Sequence, residues 1–95
     1  MKILAVERDL PGVDPITMRP LLNAEAARVY DLLQAGVVRE IYFRADRPSA
    51  VLILECANVE EAEQVLATLP LLQAGLIAFD ILPLAPYPGF ARLFA

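Results

Sequence analysis

Apolar residues recur along this chain with two spacings, and their order predicts the fold. Lys2 to Arg8 (KILAVER) is a short β-type run closed by the turn signal Leu10-Pro11-Gly12. Val13 to Arg19 contains Pro15 and leads to Pro20, so it reads as a loop whose second proline enters the first turn of a helix. From Leu22 the residues Leu22, Ala26, Val29 and Leu33 step by four, three and four, with Arg28 and Asp31 off the stripe. That spacing predicts an amphipathic helix ending near Gln34, with Gly36 as its left-handed stop. Two β-rich runs follow, Val37 to Arg44 and Ala50 to Cys56, joined by the polar connection Ala45 to Ser49 in a hairpin pattern. Asn58 caps a second helix with Glu60 and Glu61 in its first turn; Ala62, Val65, Leu66 and Leu69 form its apolar stripe and Pro70 ends it. A loop from Leu71 to Gly75 leads to a last strand, Leu76 to Leu82. The tail is broken by Pro83, Pro86 and Pro88.

The order β-α-β-β-α-β is the split βαβ arrangement, an α+β, ferredoxin-like fold with a four-stranded antiparallel sheet and both helices on one face. Residues 1–95 are expected to make one domain, with 83–95 as a proline-rich tail. A sheet covered on one side should be polar on the other. Strands three and four are not: Val51 and Ile53 alternate with Leu52 and Leu54, and Ile77, Phe79 and Ile81 with Ala78 and Leu82. The bare face needs a partner, and a second copy of the same sheet is the simplest one.

Composition agrees. The chain is 58% hydrophobic, above the ~45–50% apolar share usual for soluble domains, and a domain this small buries little surface by itself. The absence of histidine excludes His-ligated metal sites, Ser-His-Asp and Cys-His nucleophilic systems and imidazole acid–base chemistry. Cys56 is alone, so no internal disulfide or thiolate zinc cage forms; at a strand end it reads as a small core residue. Eight scattered basic residues against twelve acidic ones, with pI ≈ 4.6, argue against a nucleic-acid partner. Mean hydropathy is +0.53, yet the longest mostly apolar stretch, Leu69 to Phe79, falls far short of the roughly 20 residues a membrane span needs. Ile3 to Val6 is too short for a signal-peptide core. The expected compartment is the cytoplasm.

On the second strand Glu40, Tyr42 and Arg44 share one face and Arg39, Ile41 and Phe43 the other. If Ile41 and Phe43 meet the helices, the first three look into the space between two sheets, where Glu7, Glu55 and Asp80 could join them. A one-residue slip in the hairpin would reverse the faces. In that space Glu40 or Glu55 would transfer a proton, Tyr42 would donate a hydrogen bond to an oxygen, and Arg44 would hold an anionic substrate, with Tyr87 of the tail as a further binding residue. The plain alternative pairs Arg44 with an acid and leaves Glu40 in water at a sheet rim. Tyr87 and Phe90 equally suit a tail anchored on a neighbouring subunit.

Leu22 to Pro88 resembles the muconolactone isomerase-like proteins of the dimeric α/β-barrel (ferredoxin-like) superfamily. The likeness lies in a helix ending before Gly36, REIYFR, a strand closing on Leu54-Glu55-Cys56, Asn58-Val59-Glu60, and ATLPLL followed by FDILPLAPYP. The resemblance implies a homodimer whose sheets pack face to face, open to further assembly, with a cavity in each subunit. It also implies a small, anionic organic ligand held between sheet and helices or between the two sheets, and a cofactor-free isomerase or lyase reaction that moves a proton beside a carbonyl. The resembling isomerases carry histidine and tryptophan around REIYFR and near PYP, and this chain has neither residue type. Two other readings stay open: a non-catalytic module with a solid inter-sheet face, and a monooxygenase of the same superfamily.

Overall fold

The computed structural model describes all 95 residues. Strand β1 (Lys2–Asp9) leads through a short helix α1 (Pro15–Met18) and a 3-10 turn (Arg19–Leu21) into α2 (Leu22–Gln34); β2 (Val38–Phe43) and β3 (Ala50–Glu55) form a hairpin. Helices α3 (Val59–Leu66) and α4 (Pro70–Gln73), strand β4 (Ile77–Pro83) and a C-terminal 3-10 helix (Gly89–Phe94) complete the chain. The sheet is antiparallel with order β2-β3-β1-β4, the ferredoxin-like topology read from the sequence.

Both segments expected to be plain loops hold a turn of helix. Pro15 and Pro70 each occupy the first turn, where a missing N–H costs nothing, and Asp14 caps the first by accepting from the Ile16 amide at 2.9 Å. Helix α2 stops at Gly36, whose φ of +78° is open to glycine without strain.

The core lies between the sheet and α2/α3. Ile3, Ala5, Leu52 and Leu54 from the central strands meet Leu32, Ala62, Leu66 and Leu69, all buried, together with Cys56. Burial at Cys56 pushes its thiol pKa up, as befits a core residue.

A β-bulge decides the phase of β2. Val38 pairs with Leu54 but Glu40 with Ile53, so Arg39 is the extra residue. Val38 and Ile41 therefore both face the helices, which a regular strand could not do, and Phe43 follows Ile41. Glu40 and Tyr42 fall on the opposite face.

That opposite face carries no element. Leu4, Val6, Val51 and Ile53 are only half-buried there, and Leu82 is exposed. The tail leaves the body of the molecule: the radius of gyration is 15.4 Å with a long axis of 56 Å, against about 12 Å expected for a compact chain of this length. Tyr87, Phe90, Leu93 and Phe94 are all exposed along it.

Candidate functional site

Helix α2 presents most of its apolar stripe to a cleft, with Val29 packed against the core as well. Glu25, Arg28 and Leu32 turn inward, Leu32 reaching the core, while Leu22, Ala26, Val29 and Leu33 wall an open cavity of about 540 Å³. Ile41, Phe43 and Ala50 form its floor on the sheet, and Met18, Pro48 and Leu71 come from the flanking turns. Small side chains at Ala26 and Ala50 leave room between helix and sheet. The wall is wet: Leu22 is 47% and Phe43 70% exposed. A volume of this size, mostly apolar with a few polar groups, is typical of small-molecule sites.

The polar groups are two carboxylates. Glu7 lies in phase with the buried Ile3 and Ala5 on β1, so it faces the helices and not the open face where the sequence allowed it to lie. The β1–β3 ladder ends at Val6 opposite Val51; one residue beyond, the Ala50 amide donates to Glu7 Oε1 at 3.3 Å. Glu25 reaches across from α2 to α4, where the Leu71 amide donates to its Oε1 at 2.9 Å. Pro70 leaves that amide as the first N–H of the short helix, and Glu25 serves as its cap.

Neither carboxylate has a cation beside it. Burial raises the pKa of Glu7 above the ordinary 4.5, the Ala50 hydrogen bond opposes this, and the charges of Asp9 and Glu25 add to it. Burial likewise raises Glu25, against the Leu71 hydrogen bond. Arg28, the one basic residue of α2, is tied to Thr68 Oγ1 at 2.9 Å. The hairpin lip is fastened to β1 through Asp9, which accepts from Ser49 Oγ at 3.4 Å and meets Arg47 at 3.3 Å.

The residues singled out from the sequence lie elsewhere. Glu40 and Tyr42 are together on the open face, the Tyr42 hydroxyl donating to Glu40 Oε1 at 2.6 Å. Hydrogen bonding to that carboxylate raises the phenol pKa. Glu55, on the same face, accepts from the terminal amine of Met1 at 2.8 Å, which lowers its pKa. Arg44 sits at the hairpin and gives both guanidinium contacts to Asp46, at 2.9 and 2.7 Å, as in the plain reading. Asp80 meets Arg8 at 3.3 Å. Tyr87 packs edge-on against Phe90 at 5.0 Å within the tail and does not line the cleft of its own chain. Sequence reasoning missed Glu25 altogether and misplaced Glu7. The alternation Ile3-Ala5-Glu7 was the available signal for the second, whereas nothing local marked Glu25, one position before Ala26 of the stripe.

The muconolactone delta-isomerase family model matches residues 5–89. Among solved structures, a muconolactone isomerase crystal structure superposes with a TM-score of 0.75 at 21% identity, covering 93% of this chain and 92% of that one. A 5-chloro-2-hydroxyhydroquinone dehydrochlorinase from Burkholderia phenoliruptrix AC1100, in complex with 2,5-dihydroxybenzoquinone, gives 0.70 at 19%, covering 94% and 98%. At such identities the structural likeness shows the fold. No curated protein matches by sequence. The extent of the family match carries the assignment: the chain belongs to the muconolactone delta-isomerase family.

Proposed function

We propose that this protein is a cytoplasmic homodimer, formed through the open sheet faces, in which the cleft under α2 binds a small organic molecule and isomerises it without a cofactor. The observation that carries the reading is the apolar cleft of about 540 Å³ holding Glu7 and Glu25 with no cation, in a chain of this family. Glu25, less perturbed of the two by neighbouring charge, takes a proton from carbon beside a carbonyl. The electron pair moves into the carbonyl, and Glu7 in its protonated form, which burial and the charges of Asp9 and Glu25 favour, donates a hydrogen bond to the developing enolate oxygen. Return of the proton from Glu25 to a different carbon completes an isomerisation in which nothing is oxidised or reduced.

The dimer is supported by area. The open face of four strands measures roughly 20 by 20 Å, about half the ~800 Å² that each partner of a stable interface buries. The projecting tail, with Tyr87 and Phe90, is long enough to supply the remainder on a second copy. No helix is long and apolar enough to cross a membrane.

A second reading, favoured by the Tyr42–Glu40 hydrogen bond on that same apolar face, puts the proton transfer between the sheets, with Glu40 or Glu55 as the base and Arg44 and Tyr87 binding the ligand. One experiment separates the two. Lactones and hydroxylated cyclic enones are incubated with the protein in D2O and deuterium incorporation is followed by NMR. Glu25→Gln should slow exchange by at least a hundredfold with an unchanged circular dichroism spectrum, and Glu40→Gln by less than threefold. The reverse ranking moves the chemistry to the sheet interface; exchange no faster than in buffer across the panel would refute the isomerase reading.

A further inference from the structure

The charge lining the cleft restricts what it can hold. Its polar groups are the carboxyls of Glu7 and Glu25 and the Tyr30 hydroxyl at the mouth. No basic residue of the chain lines it. Arg28, Arg39, Arg44 and Arg47 are engaged by Thr68, the Gly36 carbonyl, Asp46 and Asp9 respectively, and Arg8 by Asp80 on the far side of the sheet. A carboxylate ligand would therefore enter the cleft beside two acids with no counter-charge in the lining: an ionised glutamate repels it, and a protonated one returns a single hydrogen bond for the hydration it gives up.

We propose that the ligand of this cleft is an uncharged, ring-sized molecule bearing hydroxyl groups, and that its carboxylate analogues are rejected. The inference rests on the cleft being the binding site, as argued above. Each glutamate gives one oxygen to a backbone amide, Glu7 to Ala50 and Glu25 to Leu71, and keeps the second for the ligand. That oxygen accepts from a ligand hydroxyl when ionised and donates to a ligand carbonyl when protonated. The apolar walls from α2 and the floor of Ile41 and Phe43 suit a flat hydrocarbon body. An ammonium ligand has three N–H donors, and the one free oxygen of each glutamate leaves a donor against the apolar walls.

Three probes that share one ring and differ in charge test this: 4-hydroxybenzyl alcohol, 4-hydroxybenzoate and 4-hydroxybenzylamine, titrated into the full-length protein at neutral pH by calorimetry. The alcohol should bind at least tenfold more tightly than the benzoate and no more weakly than the amine. Chemical-shift changes at the Ala26 and Ala50 methyl groups should place it in the cleft, and Ala26→Trp should abolish it. In the Glu7→Gln/Glu25→Gln double variant the preference over benzoate should collapse to within threefold. Benzoate or amine binding most tightly, with shifts at Ala26 and Ala50, overturns the ligand class and leaves the cleft standing as the site. Binding of no probe, or binding that leaves both methyl groups unmoved, removes the cleft and this inference with it.

Discussion

The two faces of one sheet treat the same residue type in opposite ways. On the helix side Glu7 and Glu25 are half-buried, held by backbone amides and unpaired with any cation, and burial raises both. On the open side Glu55 is exposed beside the terminal amine and lowered by it. Glu40 is engaged by a phenol and Asp80 by Arg8. Five carboxylate partnerships thus divide by environment and not by sequence. Where water and cations reach, an acid remains an ordinary anion; where helix α2 shields it, burial raises the pKa of the same group.

Neighbouring residues of β3 provide the most severe test of this contrast. Leu54 is fully buried against the helices while Ile53 faces outward. Leu54→Ala should cost about 2–5 kcal/mol in denaturant unfolding through the lost burial and the cavity left behind. A cost below about 1 kcal/mol would mean that the core is not where the helix face places it.

Ile53→Lys should leave the fold intact by circular dichroism and instead abolish association, so that sedimentation equilibrium at micromolar concentration gives the 10.4 kDa of one chain where the wild type gives twice that. A wild type that already sediments as one chain contradicts the partnership proposed for the open face.

The smallest effect separates the acids themselves. A carboxyl whose folded pKa lies above its unfolded value binds more protons folded than unfolded, so stability falls as pH rises through the window just above 4.5. Replacing Glu7 by Gln should flatten that fall, a shift of roughly a few degrees in Tm. Glu55 has the opposite sign: its contribution is present above 4.5 and lost as pH drops through its lowered folded pKa. The Glu55 pair is exposed and screened by solvent, so Glu55→Gln should lower Tm at neutral pH by no more than about one degree. A Glu7 variant with an undiminished pH slope would mean that its burial is not what perturbs it.

Much of this molecule was legible in its residues. The helix from Leu22 to Gln34, the Asn58 cap, the hairpin and the two-sided apolar strands follow from local spacing and turn chemistry, and together they require the split βαβ order and an uncovered sheet face. Local pattern could not decide which wall of α2 faces the core. The stripe of Leu22, Ala26, Val29 and Leu33 is apolar whether it meets the core or a cleft, and only the packing of Leu32 on the sheet tells the two apart. Nor could it settle the phase of β2, because a single bulge at Arg39 reverses every side chain beyond it. The meeting of Glu7 with Glu25 is of the same kind. Eighteen positions separate them, and what brings them together is the fold of a helix over a sheet, which alternation and helical periodicity, each confined to its own element, do not encode.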